Sequence, residues 1–270
     1  MDSIMDSIRS RKSVRSFDGQ SLRPDDLAKL RAFMENIENP YGQKVNFLLL
    51  DAGQEKLSCP VITGTELYVG GKLKPAPHCN EAFGYSFECL VLYARSLGIG
   101  TTWIGGTMDR AAFERAMGLE GDELMPCVSP LGYPAEKMSL REALMRKSIR
   151  ADERRPFEEL FFAEDFDIPL TKAAAGPLAA PLEAVRLAPS AVNKQPWRIV
   201  LTEQAAHFYL QRARGLGGSL IDMQKIDLGI ALCHFSLTAR ELGMKLQFSL
   251  TDPGLEAGPG MEYIATYRYE

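Results

Sequence analysis

The sequence is short of the residues from which metal sites and disulfide frameworks are built. Its three histidines, His78, His207 and His234, have no ligand spacing, which argues against a histidine metal site. The five cysteines are an odd, scattered set with no C-x-x-C pair, so neither a zinc knuckle nor a disulfide scaffold is indicated; reduced thiols are expected. There is no excess of basic charge either. A formal net charge of −4 is the wrong sign for a broad nucleic-acid surface, which must neutralise phosphates. No window approaches the roughly 18 apolar residues of a membrane span, and the charged N-terminus does not resemble a signal sequence, so a cytoplasmic protein is expected. G-x-G-x-x-G, Walker-type and G-x-S-x-G motifs are missing, and no carboxylate pair has an acid/base signature. What remains is a chain of 270 residues, 46% hydrophobic and 24% charged, which can bury one large core or two ordinary ones.

The chain reads as two copies of one plan. In the first, a short helical start at Ser7 to Arg11 precedes a helix opening at Pro24, a buried strand at Val45 to Leu50, and a long helix from Glu81 to Leu97 that stops at Gly98. In the second, a helix at Ala180 to Arg186 precedes strands at Trp197 to Leu201 and His207 to Leu210, then a helix from Asp227 to Leu242. The long helices end alike, as L-Y-A-R-S-L-G-I and L-T-A-R-E-L-G-M, and Gly84 and Gly229 share one offset from those endings. The boundary falls at residues 1–155 and 156–270. Pro156 to Phe162 mixes aromatic and acidic residues, too apolar for a free linker, and is expected to cross over and pack on the other half.

Three segments carry the chemistry. Arg11-Lys12-Ser13-Val14-Arg15 puts three cations and a hydroxyl within five residues; forked, charge-assisted donors of this kind suit a phosphate, and a solvated basic patch is the competing reading. In Pro189-Ser190-Ala191-Val192-Asn193-Lys194-Gln195-Pro196-Trp197, two prolines restrict a backbone whose Ser, Asn and Gln side chains suit the polar edge of a heterocycle, or else cap a helix. Ile104-Gly105-Gly106, just past the first long helix, lets backbone amides approach a ligand, or is a plain turn. Asn39-Pro40-Tyr41-Gly42-Gln43 stands in the first copy where the second has the Pro189 loop, and only Gln43 keeps the match.

Taken together, R-K-S-V-R-S-F, A-P-S-A-V-N-K-Q-P-W-R, A-R-S-L-G-I-G-T-T-W-I-G-G and L-G-Y-P resemble the FMN-dependent nitroreductase family, and their order and duplication look most like its single-chain, two-repeat group, the putative TM nitroreductases. The resemblance implies an α+β, nitroreductase-like fold. Two tandem half-repeats would form an intrachain pseudo-dimer, with mixed or antiparallel sheets flanked by helices. It also implies an FMN-dependent oxidoreductase that uses NAD(P)H to reduce nitroaromatics, quinones or similar small acceptors by a ping-pong cycle. A flavin-binding sensor or carrier, or a descendant without flavin, stays open as the alternative.

Carried over by motif, Arg11 and Ser13 with Lys12 would bind the FMN phosphate, joined by Arg154 or Arg155, while Arg15 would lie near the pyrimidine edge or the substrate. Pro189, Ser190 and Asn193 would border the ring from the second repeat and Gln195 would brace their loop. Ile104, Gly105 and Gly106 would direct amides at flavin N5. No catalytic acid or base and no metal is implied, since the chemistry belongs to the cofactor. One flavin per chain is expected, because only the second repeat keeps an intact loop and only the first keeps a phosphate grip. A monomer would suffice for such a site.

Overall fold

The computed structural model describes residues 3–213 and 220–270. In chain order its elements are α1 (Ile4–Ser10), α2 (Pro24–Glu35), β1 (Asn46–Asp51), α3 (Ala52–Glu55), β2 (Leu67–Lys72), α4 (Cys79–Ser96), α5 (Arg110–Ala116), β3 (Val128–Pro130), α6 (Leu140–Ser148), β4 (Phe161–Ala163), α7 (Ala179–Leu187), β5 (Trp197–Thr202), β6 (Ala205–Gln211), α8 (Met223–Glu241), β7 (Leu246–Ser249) and β8 (Met261–Tyr269). Local chemistry sets several boundaries. Pro24 occupies the first turn of α2, where its missing N–H costs nothing. The Asp222 carboxylate caps the Gln224 and Lys225 amides, which starts α8 ahead of the apolar run.

The duplication is explicit in the topology. α2, β1, β2, α4 and β3 repeat as α7, β5, β6, α8 and β8, and both three-strand cores are antiparallel in the orders β1-β2-β3 and β5-β6-β8. The second sheet gains β7 on one edge and β4, parallel to β5, on the other. This is the α+β pseudo-dimer that the motifs imply. Both long helices end in the same hydrogen-bonded cap. Gly98 (φ 78°) and Gly243 (φ 83°) take the left-handed turn, and the following amides, of Ile99 and Met244, reach back to the Ala94 and Ala239 carbonyls.

α4 and α8 cross where both lack a side chain. A Cβ on Gly84 would lie 2.1 Å from the Ile226 carbonyl oxygen, and one on Gly229 would lie 2.1 Å from that of Glu81. Backbones meet there, and one large apolar core, including Phe83, Phe87 and Leu90 of α4 and Ile230, Leu232 and Phe235 of α8, closes around the crossing. A smaller core, with Tyr68, Ile104, Phe113 and Val128, lies beneath the first sheet.

The segment after residue 155 corrects one expectation. Phe161–Ala163 forms β4 and pairs with Ile199–Leu201 of the second repeat's own sheet, so it does not cross to the first half. Besides the α4–α8 crossing, the halves are tied just upstream, where Asn193 Nδ2 donates to the Arg150 and Glu153 carbonyls.

Candidate functional site

The R-K-S-V-R segment follows α1 and is pinned beside the end of α4, where the Val14 amide donates to the Thr101 carbonyl at 2.9 Å. Arg11 and Ser13 thereby form one wall of a cavity of about 70 Å³, with Pro189, Ser190 and Asn193 as the opposite wall and Arg146 and Arg154 along the side. That volume exceeds twice the ~30 Å³ one water claims in the liquid, room for a tetrahedral anion. The phosphate-type motif and the ring-type loop, far apart in sequence, thus share one pocket.

The pocket's electrostatics point the same way. Burial lowers the pKa of Arg11, a shift that the nearby Arg146 adds to and Glu88 opposes. Arg154 is pushed down to about 10, chiefly by burial and then by repulsion from Arg11. The Nε atoms of both are buried without a hydrogen-bond partner, as is Nη1 of Arg15. Buried donors without acceptors and cations that repel one another are costly unless an anion sits between them. Of the adjacent pair Arg154 lines the cavity; Arg155 directs its side chain to Glu159 at 3.1 Å and gives only its backbone amide, to Gln195 Oε1 at 2.9 Å. Arg15 stands apart from the cavity lining, with its amide donating to Glu142 at 3.1 Å and its guanidinium also lowered by burial.

The loop opposite is strained. Val192, Asn193 and Gln195 all have positive φ, at 45°, 57° and 51°, which is especially unfavourable for β-branched Val192. Side chains hold it in place. The Gln195 backbone amide donates to Ser190 Oγ at 2.9 Å, Gln195 Oε1 accepts from the Arg155 amide, and Asn193 Nδ2 donates to the carbonyls of Arg150 at 2.6 Å and Glu153 at 3.0 Å. Gln195 therefore braces the loop, and the Asn193 amide group is spent on the segment that joins the repeats. The Ala191 amide donates to both Asp227 oxygens, at 3.0 and 3.2 Å, which ties the loop to α8.

Asp227 is fully buried, and desolvation raises its pKa well above the ordinary carboxylate value. In the unfolded chain the group ionises near pH ~3.9. In the folded protein it keeps its proton to higher pH, so the native state binds more protons and stability falls as pH climbs from about 4 upward. Asp227→Asn keeps an acceptor for Ala191 and removes the titration. Its melting temperature is expected to decline less between acid and neutral pH than that of the native protein; parallel curves would refute the assignment.

Ile104, Gly105 and Gly106 do not line the cavity. The Ile104 amide is already bonded to the Val128 carbonyl at 2.9 Å, while the amides of Gly105 and Gly106 donate to no group among the described residues. A Cβ on Gly105 would meet Cys127 Sγ and Met223 Cε, both at 3.4 Å, so the start of α8 approaches this turn from the second repeat. Beneath both walls lies a buried polar network. Glu88 accepts from Trp103 Nε1 at 3.0 Å and contacts His234 Nε2 at 2.9 Å, and His234 Nδ1, facing the Ala184 carbonyl at 2.9 Å, must carry the proton of that bond. Sequence reasoning missed Arg146, Asp227 and this network. The Ser139-x-x-Glu142 cap that opens α6 was the available signal for Arg146.

The family model described as "Putative TM nitroreductase" matches residues 3–239, across both repeats. The chain belongs to this nitroreductase family. A solved structure, described as a putative nitroreductase from Thermotoga maritima MSB8, is 22% identical and superposes with a TM-score of 0.62, covering 99% of this chain and 93% of that one. The likeness is one of fold. A nitroreductase with bound FMN from Bacteroides fragilis NCTC 9343 is 20% identical over 52% of this chain and 92% of its own, with a TM-score of 0.41. No curated protein matches the chain. Among the described residues of this nitroreductase-family chain, no helix is long and apolar enough to cross a membrane, and no group of three or more metal-ligating side chains occurs.

Proposed function

We propose that the protein is an FMN-dependent oxidoreductase with one flavin site per chain, built between the two repeats. The observation that carries this reading is the convergence of Arg11 and Arg154, each with an unpartnered buried Nε, on a cavity whose far wall is Pro189, Ser190 and Asn193. FMN, when bound, would supply the two-electron chemistry, with NAD(P)H as donor and nitroaromatics, quinones or similar small molecules as acceptors in a ping-pong cycle. Arg11, Arg154 and Lys12 would neutralise the phosphate and Ser13 would donate its hydroxyl, while Arg146 is ion-paired with Asp152 on the same lining. Arg15 would favour negative charge at the pyrimidine edge. The strained loop would fix the ring's border, with Ser190 and Asn193 held by Gln195, Asp227 and residues 150–153. Five cysteines, all unpaired, support a reducing compartment such as the cytoplasm.

The test is spectroscopic. The purified protein is expected to be yellow, or to become so with FMN, to release one flavin per chain, and to be bleached anaerobically by NADH or NADPH, then restored by a nitroaromatic acceptor. Two flavins per chain, or none after reconstitution, contradict the single interface site; a flavin that neither nucleotide reduces leaves a binding protein without this turnover.

A further inference from the structure

The two sheets match strand for strand except at one edge. β5, β6 and β8 repeat β1, β2 and β3, and the place of β7 beside β8 is taken in the first sheet by Ile104, which is bridged to Val128. β4 has no counterpart: among the described residues nothing pairs with β1 on the side away from β2. The register shows which groups this leaves free. The Ala52 amide donates to the Glu66 carbonyl at 2.7 Å, one step of the ladder in which Asn46, Leu48 and Leu50 turn their backbone groups toward β2. Phe47 and Leu49 therefore point theirs outward. In the second sheet the same spacing is filled, since the Ile199 amide donates to the Leu160 carbonyl at 2.9 Å and the Leu201 carbonyl accepts from the Glu164 amide at 2.8 Å.

Burial follows the same difference. Ile199, Val200 and Leu201 of β5 are buried, whereas Phe47, Leu48 and Leu49 of β1 are each half-buried. Beside them an open groove of about 920 Å³ runs between β1 and the last turns of α2, where Met34 and Ile37 face it. A hydrophobic edge strand without lysine, proline or a bulge is a template for another strand. Arg31 and Lys44 balance Glu35 and Glu38 along the lining, so the groove selects neither sign of charge. The second half shows what fits such a place: Phe157, Leu160 and Phe161 are buried as their segment leads into β4. We propose that the β1 edge and its groove are a docking site for an extended segment of a partner protein, added parallel to β1 and anchored by an F-x-x-L-F pattern, as residues 157–163 are added to β5. This surface is independent of the flavin reading.

The experiment uses the full chain, labelled with 15N at phenylalanine and leucine, and a blocked synthetic peptide with the sequence of residues 155–166. The peptide is expected to bind with a Kd below about 100 μM and to shift the Phe47 and Leu49 amides. A paramagnetic tag on its N-terminus should broaden Phe47 more than Leu50, as parallel pairing requires. N-methylation of the peptide at the position of Glu164 removes the donor that would meet the Leu49 carbonyl, and is expected to weaken binding about tenfold. Leu49→Pro removes an outward N–H that the β2 ladder does not use, and should weaken binding about as much. The modified peptide decides the matter on unaltered protein if that variant does not fold. No binding at about 1 mM peptide, or binding indifferent to N-methylation, overturns the proposal. So does broadening strongest at Leu50, or a shift confined to Leu201 and Phe208, which would mean exchange with β4. A protein that sediments as a dimer until Leu49→Pro makes it a monomer overturns it too, because the edge then belongs to a second copy of the chain.

Discussion

Gly229→Ala is expected to destabilise the protein by about 4 kcal/mol or more, at the extreme of single-residue effects. The added methyl would sit 2.1 Å from the Glu81 carbonyl oxygen and 2.8 Å from the Tyr85 nitrogen. Neither neighbour is a side chain that can rotate aside, so α4 and α8 must separate, and core contacts on both sides of the crossing loosen together. Gly84→Ala, which meets the Ile226 backbone, is expected to behave alike, and the double variant should cost less than the sum because one separation relieves both clashes. Urea unfolding followed by circular dichroism measures this. A midpoint unchanged by either substitution would show slack at the crossing that the distances deny.

Arg11→Met is expected to move affinity and stability in opposite directions. Arg11 is half-buried on the cavity, its Nε is shut off from solvent with no acceptor, and burial opposes its charge. Replacing it with an unbranched apolar side chain removes that penalty, so the flavin-free protein should melt at a higher temperature. FMN affinity should nevertheless fall about 100-fold, the order expected when charge-assisted bonds to a phosphate are lost. Calorimetry without ligand and fluorescence titration with FMN give the two numbers. Loss of stability in the free protein would mean that Arg11 serves the fold, through the field of Glu88, and is no dedicated anion site. Riboflavin, which lacks the phosphate, should bind the native and variant proteins alike.

Much of the scaffold is legible in the sequence. α4 announces itself by apolar periodicity, α8 by a long apolar run, both by Gly98 and Gly243, and β5 and β6 by short runs rich in aliphatic and aromatic residues. β2 does not, because Leu67–Lys72 carries Gly70 and Gly71 in its middle. The reason is tertiary: a Cβ at these positions would lie 2.4 Å from Met117 Sδ and 2.9 Å from the Phe83 ring, so packing outweighs strand propensity. In the site, the two walls follow from their motifs, yet Arg154 and Arg155 are neighbours of equal chemistry, and only the path of residues 150–155 turns one inward. The conformation of Val192 is likewise invisible in composition, since no local preference asks a β-branched residue for a left-handed turn. Asp227 reads as a single acid at the start of an apolar helix until the Ala191 amide is found beside it.

The joining of both pocket walls within one polypeptide has a consequence for mass action. A site shared by two separate subunits empties on dilution once the protomer concentration falls below their dissociation constant. Here the walls are tethered through residues 150–155 and share one core, so their encounter is unimolecular, and the pocket persists at any protein concentration at which the chain is folded. The loop at Asn39–Gln43, between α2 and β1, is committed to its own half: Asn39 Nδ2 donates to Ser86 Oγ and Gln43 Nε2 to the Pro77 carbonyl.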